Sequence, residues 1–200
     1  MKKIPTAVYI LALLVMSLVL LRPLLGPGFY VSDDGEWMVI RLSAFFQSLR
    51  DGQFPVRFLG RLNNGYGYPV ANFLYPGFLY IGSLIHGLGF SFVDSVKIIL
   101  GGSVIGAGVG VFLWLRVFFS PFASFLGAVS FLSSPYLMFD LYRRGSVGEV
   151  FAMLPAAWSL YAISSRKMWL LVPSLGLLLI AHNTLAILFI LYLGSLLLTT

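Results

Sequence analysis

An all-α, multi-pass membrane protein is the fold class this sequence predicts, and three observations predict it. Apolar residues make up 59% of the 200-residue chain and charged residues only 10%, with a mean hydropathy of +0.94. So few polar groups could not cover the water-facing surface of a soluble domain of this size. Apolar stretches of membrane-spanning length recur along the chain, and they lack the alternating polarity of outer-membrane barrel strands. The chain has no cysteine, which excludes disulfides and thiolate metal sites. Its formal charge of +6 comes from bases scattered among the flanks of the apolar runs. Snorkelling and topology explain that placement better than nucleic-acid binding does.

Taken in chain order, spans are predicted at about 4–21, 93–114, 121–138, 150–163, 168–181 and 184–198. Met1-Lys2-Lys3 precedes the first, and Arg22-Pro23-Leu24-Leu25 follows it. With no small-residue cleavage site there, the segment reads as an uncleaved helix rather than a signal peptide. Residues 23–92 form a first loop too long and too aromatic to be a mere connector. Its first part reads as a helix capped by Ser32 or Asp33 and stopped by Asp51-Gly52. Met38, Leu42, Phe45, Phe46 and Leu49 make an apolar stripe suited to the membrane surface, while Asp34, Trp37 and Arg41 share another face. Residues 72–90 are apolar enough to cross, yet they hold Pro76, several glycines and His86, and they read as an interfacial or re-entrant segment. If that segment does not cross, Lys2, Lys3, Arg116, Arg166 and Lys167 all face the cytoplasm. The seven acids (Asp33, Asp34, Glu36, Asp51, Asp94, Asp140 and Glu149) then all face outside, the arrangement the positive-inside bias favours. Gly101, Gly102, Gly106, Gly108 and Gly110 permit close helix packing in the second span. The last two spans form a hairpin turning at His182-Asn183. The final apolar stretch carries no polar tail, so the 200 residues read as one transmembrane domain, the N-terminal part of a longer protein.

Four polar features could carry chemistry. Ser32-Asp33-Asp34-Gly35-Glu36 groups three acids just past the first span. Such acids can act as a general base, or hold a divalent cation beside a phosphate substrate; helix capping and dipole complementation are the alternative. In the run from Asp140 to Glu149, the paired Arg143 and Arg144 oppose the topology bias and need a partner. A phosphate fits, and so does an ion-pair network with Asp140 and Glu149. Tyr66 and Tyr68, set among turn signals in 63–69, suit either membrane anchoring or a sugar site. His182 and Asn183 sit within an apolar run, where polar side chains face a cavity or a partner helix. His86 and His182 are too few and too far apart for a metal site.

Taken together, several motifs resemble a known family. They are Asp33-Asp34, Arg41, Gly52-Gln53-Phe54-Pro55-Val56-Arg57, Gly65-Tyr66-Gly67-Tyr68-Pro69, Asn72-Phe73-Leu74-Tyr75-Pro76, Ser134-Pro135-Tyr136 and the run Leu141 to Glu149. The combination resembles the prokaryotic membrane proteins named "6-pyruvoyl-tetrahydropterin synthase-related", which are similar in layout to GT-C glycosyltransferases and YfhO-like membrane proteins. Pterin chemistry is not implied, because a soluble pterin synthase uses a histidine-bound zinc and these two histidines lack ligand spacing. The resemblance implies a GT-C-like helical bundle at the plasma membrane, with its functional loops outside the cytoplasm. An acid after the first span and polar residues in a later outside loop would form the site. Asp34 or Asp33 would be the base for an acceptor hydroxyl, and Arg143 and Arg144 would bind a lipid-linked phosphate. Glu36, Arg41, Tyr66, Tyr68, Glu149, His182 and Asn183 complete the candidate substrate-binding set. The family pattern places a histidine near the acidic motif, where this chain has Glu36, Trp37 and Met38.

Two functions follow. The first is transfer of a sugar from a polyprenyl-phosphate donor to a glycan, lipid or protein acceptor, with no cofactor beyond a divalent cation and no nucleic acid. The second is a non-catalytic protein of the same fold that binds a lipid-linked glycan or scaffolds a partner. A transporter fits less well, since neither an inverted repeat nor buried charge is evident in the spans.

Overall fold

A computed structural model describes residues 5–199; Lys2 and Lys3, expected on the cytoplasmic side, lie outside the described residues. Among these the chain is all helical, with no strand beyond one isolated bridge between Leu59 and Tyr68. Three segments are long and apolar enough to cross a membrane: Phe92–Leu115, Pro121–Arg144 and Val147–Ser164. The first of these is helix α4 and the last is α7. Three further apolar helices are shorter: α1 (Thr6–Leu20), α8 (Met168–Ala181) and α9 (Asn183–Thr199). At ~1.5 Å per residue, α1 rises only about 22 Å against a hydrocarbon thickness near 30 Å.

The segment Pro121–Arg144 is not one continuous helix. Helix α5 (Pro121–Leu132) stops, and α6 (Pro135–Met138) restarts after Ser133 and Ser134. Proline cannot continue a helix, because it lacks the amide hydrogen and clashes with the preceding turn, but it suits a first turn. Ser134 Oγ caps the new start by accepting from Leu137 N–H at 3.4 Å. The chain then winds through a π-helical turn, Phe139–Arg144, and ends on Gly145 at φ +67°. The span expected at 121–138 is therefore longer by six residues, and those six carry the polar side chains.

The core is the packing of α4 on α7. Ideal Cβ positions built at glycines show how close it is: at Gly110 the added atom would lie 3.0 Å from Ala157 Cβ. Trp158 Nε1 donates to Gly106 O across the same seam at 3.0 Å. Helix α2 (Gly35–Arg50) and helix α3 (Gly77–Gly87) sit beside the first turns of α4. Eleven residues give α3 a length of about 16 Å, too short to cross. The α2 stripe differs in its partner from the membrane surface expected of it. Met38, Leu42 and Phe45 are buried in the protein core, and Phe46 packs edge-on to His86 and Phe92. Leu42 meets Gly82 of α3, whose missing side chain leaves room for it.

The two ends of the bundle carry different polar groups. At one end Tyr9 packs on Phe112 and Phe125, and Trp114 Nε1 donates to Ser164 Oγ, beside Arg116, Arg166 and Lys167. At the other end, Tyr142 Oη donates to Leu20 O and Lys97 Nζ to Gly26 O. Asp33, Asp34, Asp140 and Glu149 gather at that second end.

Candidate functional site

The polar stretches following α1 and α6 are more than a hundred residues apart, yet they dock on each other by backbone hydrogen bonds. Asp33 N–H donates to Arg143 O at 2.9 Å, and Asp34 N–H to Arg144 O at 2.7 Å. Tyr30 Oη donates to Leu141 O a little further back. The contact is tight enough to require glycine: a Cβ on Gly145 would lie 2.6 Å from Ser32 Oγ and 2.8 Å from Gly35 N. Ser32 Oγ itself accepts from Gly35 N–H at 3.2 Å. The N-cap residue of α2 is Asp34, one or two positions later than expected, and its carboxylate makes no capping bond. That leaves a half-buried carboxylate with no hydrogen bond or ion pair among the described residues. Asp33 is paired instead, 3.5 Å from Arg143 Nη2, with both side chains more than half exposed.

Arg144 is committed inward. Its Nη1 donates to Asp140 Oδ1 and to Glu149 Oε2, at 2.8 Å each. Asp140 is fully buried, and its Oδ2 has no hydrogen-bond partner among the described residues. The Tyr136 hydroxyl donates to Glu149 Oε2 at 3.0 Å, and His182 Nε2 lies 3.7 Å from Glu149 Oε1. His182 Nδ1 accepts from Leu185 N–H at 3.3 Å, which caps α9 and puts the ring proton on Nε2, facing Glu149. Burial lowers the His182 pKa below its ordinary value; nearby Glu149 opposes the shift and Arg144 adds to it. The Tyr75 ring packs on His182 with centroids 4.5 Å apart, directly over Gly148, where any Cβ would overlap it. Burial, and then the charge of Glu149, push the Tyr75 hydroxyl up to about 12; Arg144 and Arg41 pull it down and Asp34 raises it. Tyr75 thus stands among the charges of both polar stretches.

No family model matches this chain, and no curated protein or solved structure is similar to it.

The sequence-predicted residues fall into three groups. Asp34, Arg144, Glu149 and His182 come together around Tyr75, within reach of Arg41, and the Asp33–Arg143 pair lies beside them. Arg41 and Tyr68 line a groove of about 610 Å³ with Trp37, Arg61, Asn63 and Asn64. Glu36, Tyr66 and Asn183 join neither: all three are exposed, and Tyr66 is 85% accessible. Between phosphate and ion-pair network as the partner of the two arginines, the side chains divide: Arg144 takes the network, and Arg143 stays exposed. Among the described residues no group of three or more His, Asp or Glu is placed to hold a metal ion. His86 stacks on Phe92 with centroids 3.7 Å apart, remote from these charges. Tyr75 and Tyr136 stood in two of the resembling motifs but were not named as site residues, because a lone tyrosine in an aromatic chain carries no chemical signal of its own. The Asp140–Arg144 spacing of four did carry one.

Proposed function

We propose that this chain is a multi-pass membrane protein, or part of one, that transfers a sugar from a polyprenyl-phosphate donor to an acceptor at the extracytoplasmic face. The observation that carries the reading is the docking of the 32–36 and 140–149 stretches, which brings an unpaired acid, Asp34, onto the backbone of Arg144, next to the exposed Arg143–Asp33 pair. A second feature supports a lipid carrier. An almost wholly apolar slot of about 470 Å³ runs between α4, α5, α7 and α9, from Trp114 to Tyr136. The Tyr136 hydroxyl is bonded to Glu149, so an isoprenoid chain in that slot would bring its phosphate toward the charged cluster. The GT-C-like layout expected from the motifs has the same order of acid and polar loop.

In this reading the acceptor hydroxyl attacks the anomeric carbon and its proton passes to the Asp34 carboxylate. The bond from that carbon to the phosphate oxygen breaks, and its electron pair leaves with the phosphate. Arg143 stabilises the developing charge. Arg144 holds Asp140 and Glu149 and keeps the loop in place. The test is Asp34→Asn, assayed for glycan transfer in membranes supplied with undecaprenyl-phosphate-linked sugars. Transfer should fall by about 10²-fold or more while the protein stays folded in detergent. Undiminished transfer removes the proposed base.

A second reading is a non-catalytic binder of lipid-linked glycans. It is favoured by Arg144, whose charge is already met by two carboxylates. Binding of the same lipid-linked sugars without turnover, in the unmutated chain, would select it.

A further inference from the structure

We propose that the groove between α2 and the 59–68 loop binds an anionic saccharide, a sugar bearing a carboxylate or a phosphate. As the acceptor subsite of the transfer it rests on that reading; as a binding site it does not. The groove holds about 610 Å³ and is lined by Trp37, Arg41, Arg61, Asn63, Asn64 and Tyr68. Its residue types specify the ligand. Arg41 and Arg61 make no ion pair among the described residues, and no acid lines the space. Arg41 Nη1 donates to Met38 Sδ at 3.8 Å, and its charge also reaches Tyr75. Two uncompensated guanidinium groups facing one cavity call for an anion. The Trp37 and Tyr68 side chains are 59% and 46% exposed, and indole and phenol faces suit the C–H faces of a sugar ring. The two asparagine amides supply donors and acceptors for hydroxyls.

The loop is built to hold this shape before a ligand arrives. Leu59 and Tyr68 exchange backbone hydrogen bonds at 3.0 and 3.1 Å, closing the loop at its neck, and Leu59 is fully buried. Asn63 and Asn64 both take left-handed backbone at φ 55°, a conformation that asparagine tolerates better than most residues. The concavity also separates the site from a membrane anchor, which would present its rings on a ridge. Trp37 and Arg41 lie four residues apart on α2, whose N-terminus carries Asp34, so a sugar held there lies along the helix that positions the proposed base.

The experiment titrates the full chain in neutral detergent by calorimetry with trigalacturonate, galactose 1-phosphate, neutral maltotriose and phosphatidylglycerol nanodiscs. At least one of the two charged sugars should bind, and whichever is tighter identifies the carboxylate or the phosphate as the preferred anion. Maltotriose should bind at least about tenfold more weakly. The double variant Arg41→Gln, Arg61→Gln should lose about tenfold or more in affinity for the charged sugar, as expected when charge-assisted hydrogen bonds are removed. Trp37→Ala should weaken it several-fold without changing its salt dependence. Equal binding of maltotriose, no binding of either charged sugar, or binding confined to the nanodiscs overturns the proposal, as does a double variant with unchanged affinity. Charged-sugar binding without turnover keeps the groove and removes the transfer reading; turnover without such binding does the reverse.

Discussion

Arg143 and Arg144 are neighbours with different work, and the difference is measurable. Asp140 is fully buried and Arg144 about one-third exposed. Removing one partner of a buried pair leaves a charge without compensation, which costs about 3–5 kcal/mol. The Arg143–Asp33 pair lies in solvent, where such pairs contribute ~0–1 kcal/mol. Arg144→Gln should therefore lower the melting temperature of the detergent-solubilised protein sharply, while Arg143→Gln should leave it nearly unchanged and reduce transfer. Equal melting temperatures for the two variants would contradict the inward role of Arg144. His182 provides a pH test. Its folded pKa is depressed by burial, so the stability it contributes is present above the ordinary histidine value of about 6.5. That stability is lost as pH falls through the lower folded value, because protonated Nδ1 can no longer accept from Leu185 N–H. Between pH 7 and pH 5 the unmutated chain should lose more thermal stability, or gain less, than His182→Gln, and identical pH profiles for the two would remove this role.

At the level of helices, the α4–α7 seam decides which glycines matter. Gly110 faces Ala157 Cβ, an atom that cannot move without its backbone, and the Trp158 ring. Gly106 faces the far end of Leu154, which can rotate away. Gly110→Val should destabilise by about 1–3 kcal/mol through overpacking, and Gly106→Ala by less; melting curves of the two variants compare them directly. The spacing of these glycines was legible in the sequence, but which of them met an atom fixed to its backbone was not, since that depends on the rotation of α7. The α2 stripe makes the same point. Its periodicity was visible, yet a helical apolar face packs equally well on lipid or on protein. Gly82 of α3 and the neighbouring α4 supplied the protein surface.

Across the whole molecule, Arg116, Arg166 and Lys167 lie at one end of the bundle, and the acidic cluster with Tyr75 shares the other end with Arg41, Lys97, Arg143 and Arg144. The proposed topology puts the end with Arg116, Arg166 and Lys167 in the cytoplasm. Because the chain has no cysteine, single introduced thiols report topology without background. In intact cells Asn63→Cys should react with a membrane-impermeant maleimide, and Arg166→Cys should not until the membrane is opened. Labelling of residue 166 from outside would invert the topology and remove the extracytoplasmic assignment.

Hydropathy and local spacing were enough to predict helices, the order of the apolar segments and the two polar stretches that interrupt them, because each depends on residues within a few turns. Spacing also left open whether Arg144 met a phosphate or an acid, and which aspartate after α1 stayed unpaired. Those outcomes depend on distances between residues more than a hundred positions apart. They were decided when Gly145 let the chain beside Ser32 approach, and when Tyr75 settled over Gly148 against His182. The groove carrying Arg41 and Arg61 is of the same kind: its residues are scattered from Trp37 to Tyr68, and only the folding of the 59–68 loop onto α2 turns them into one concave surface.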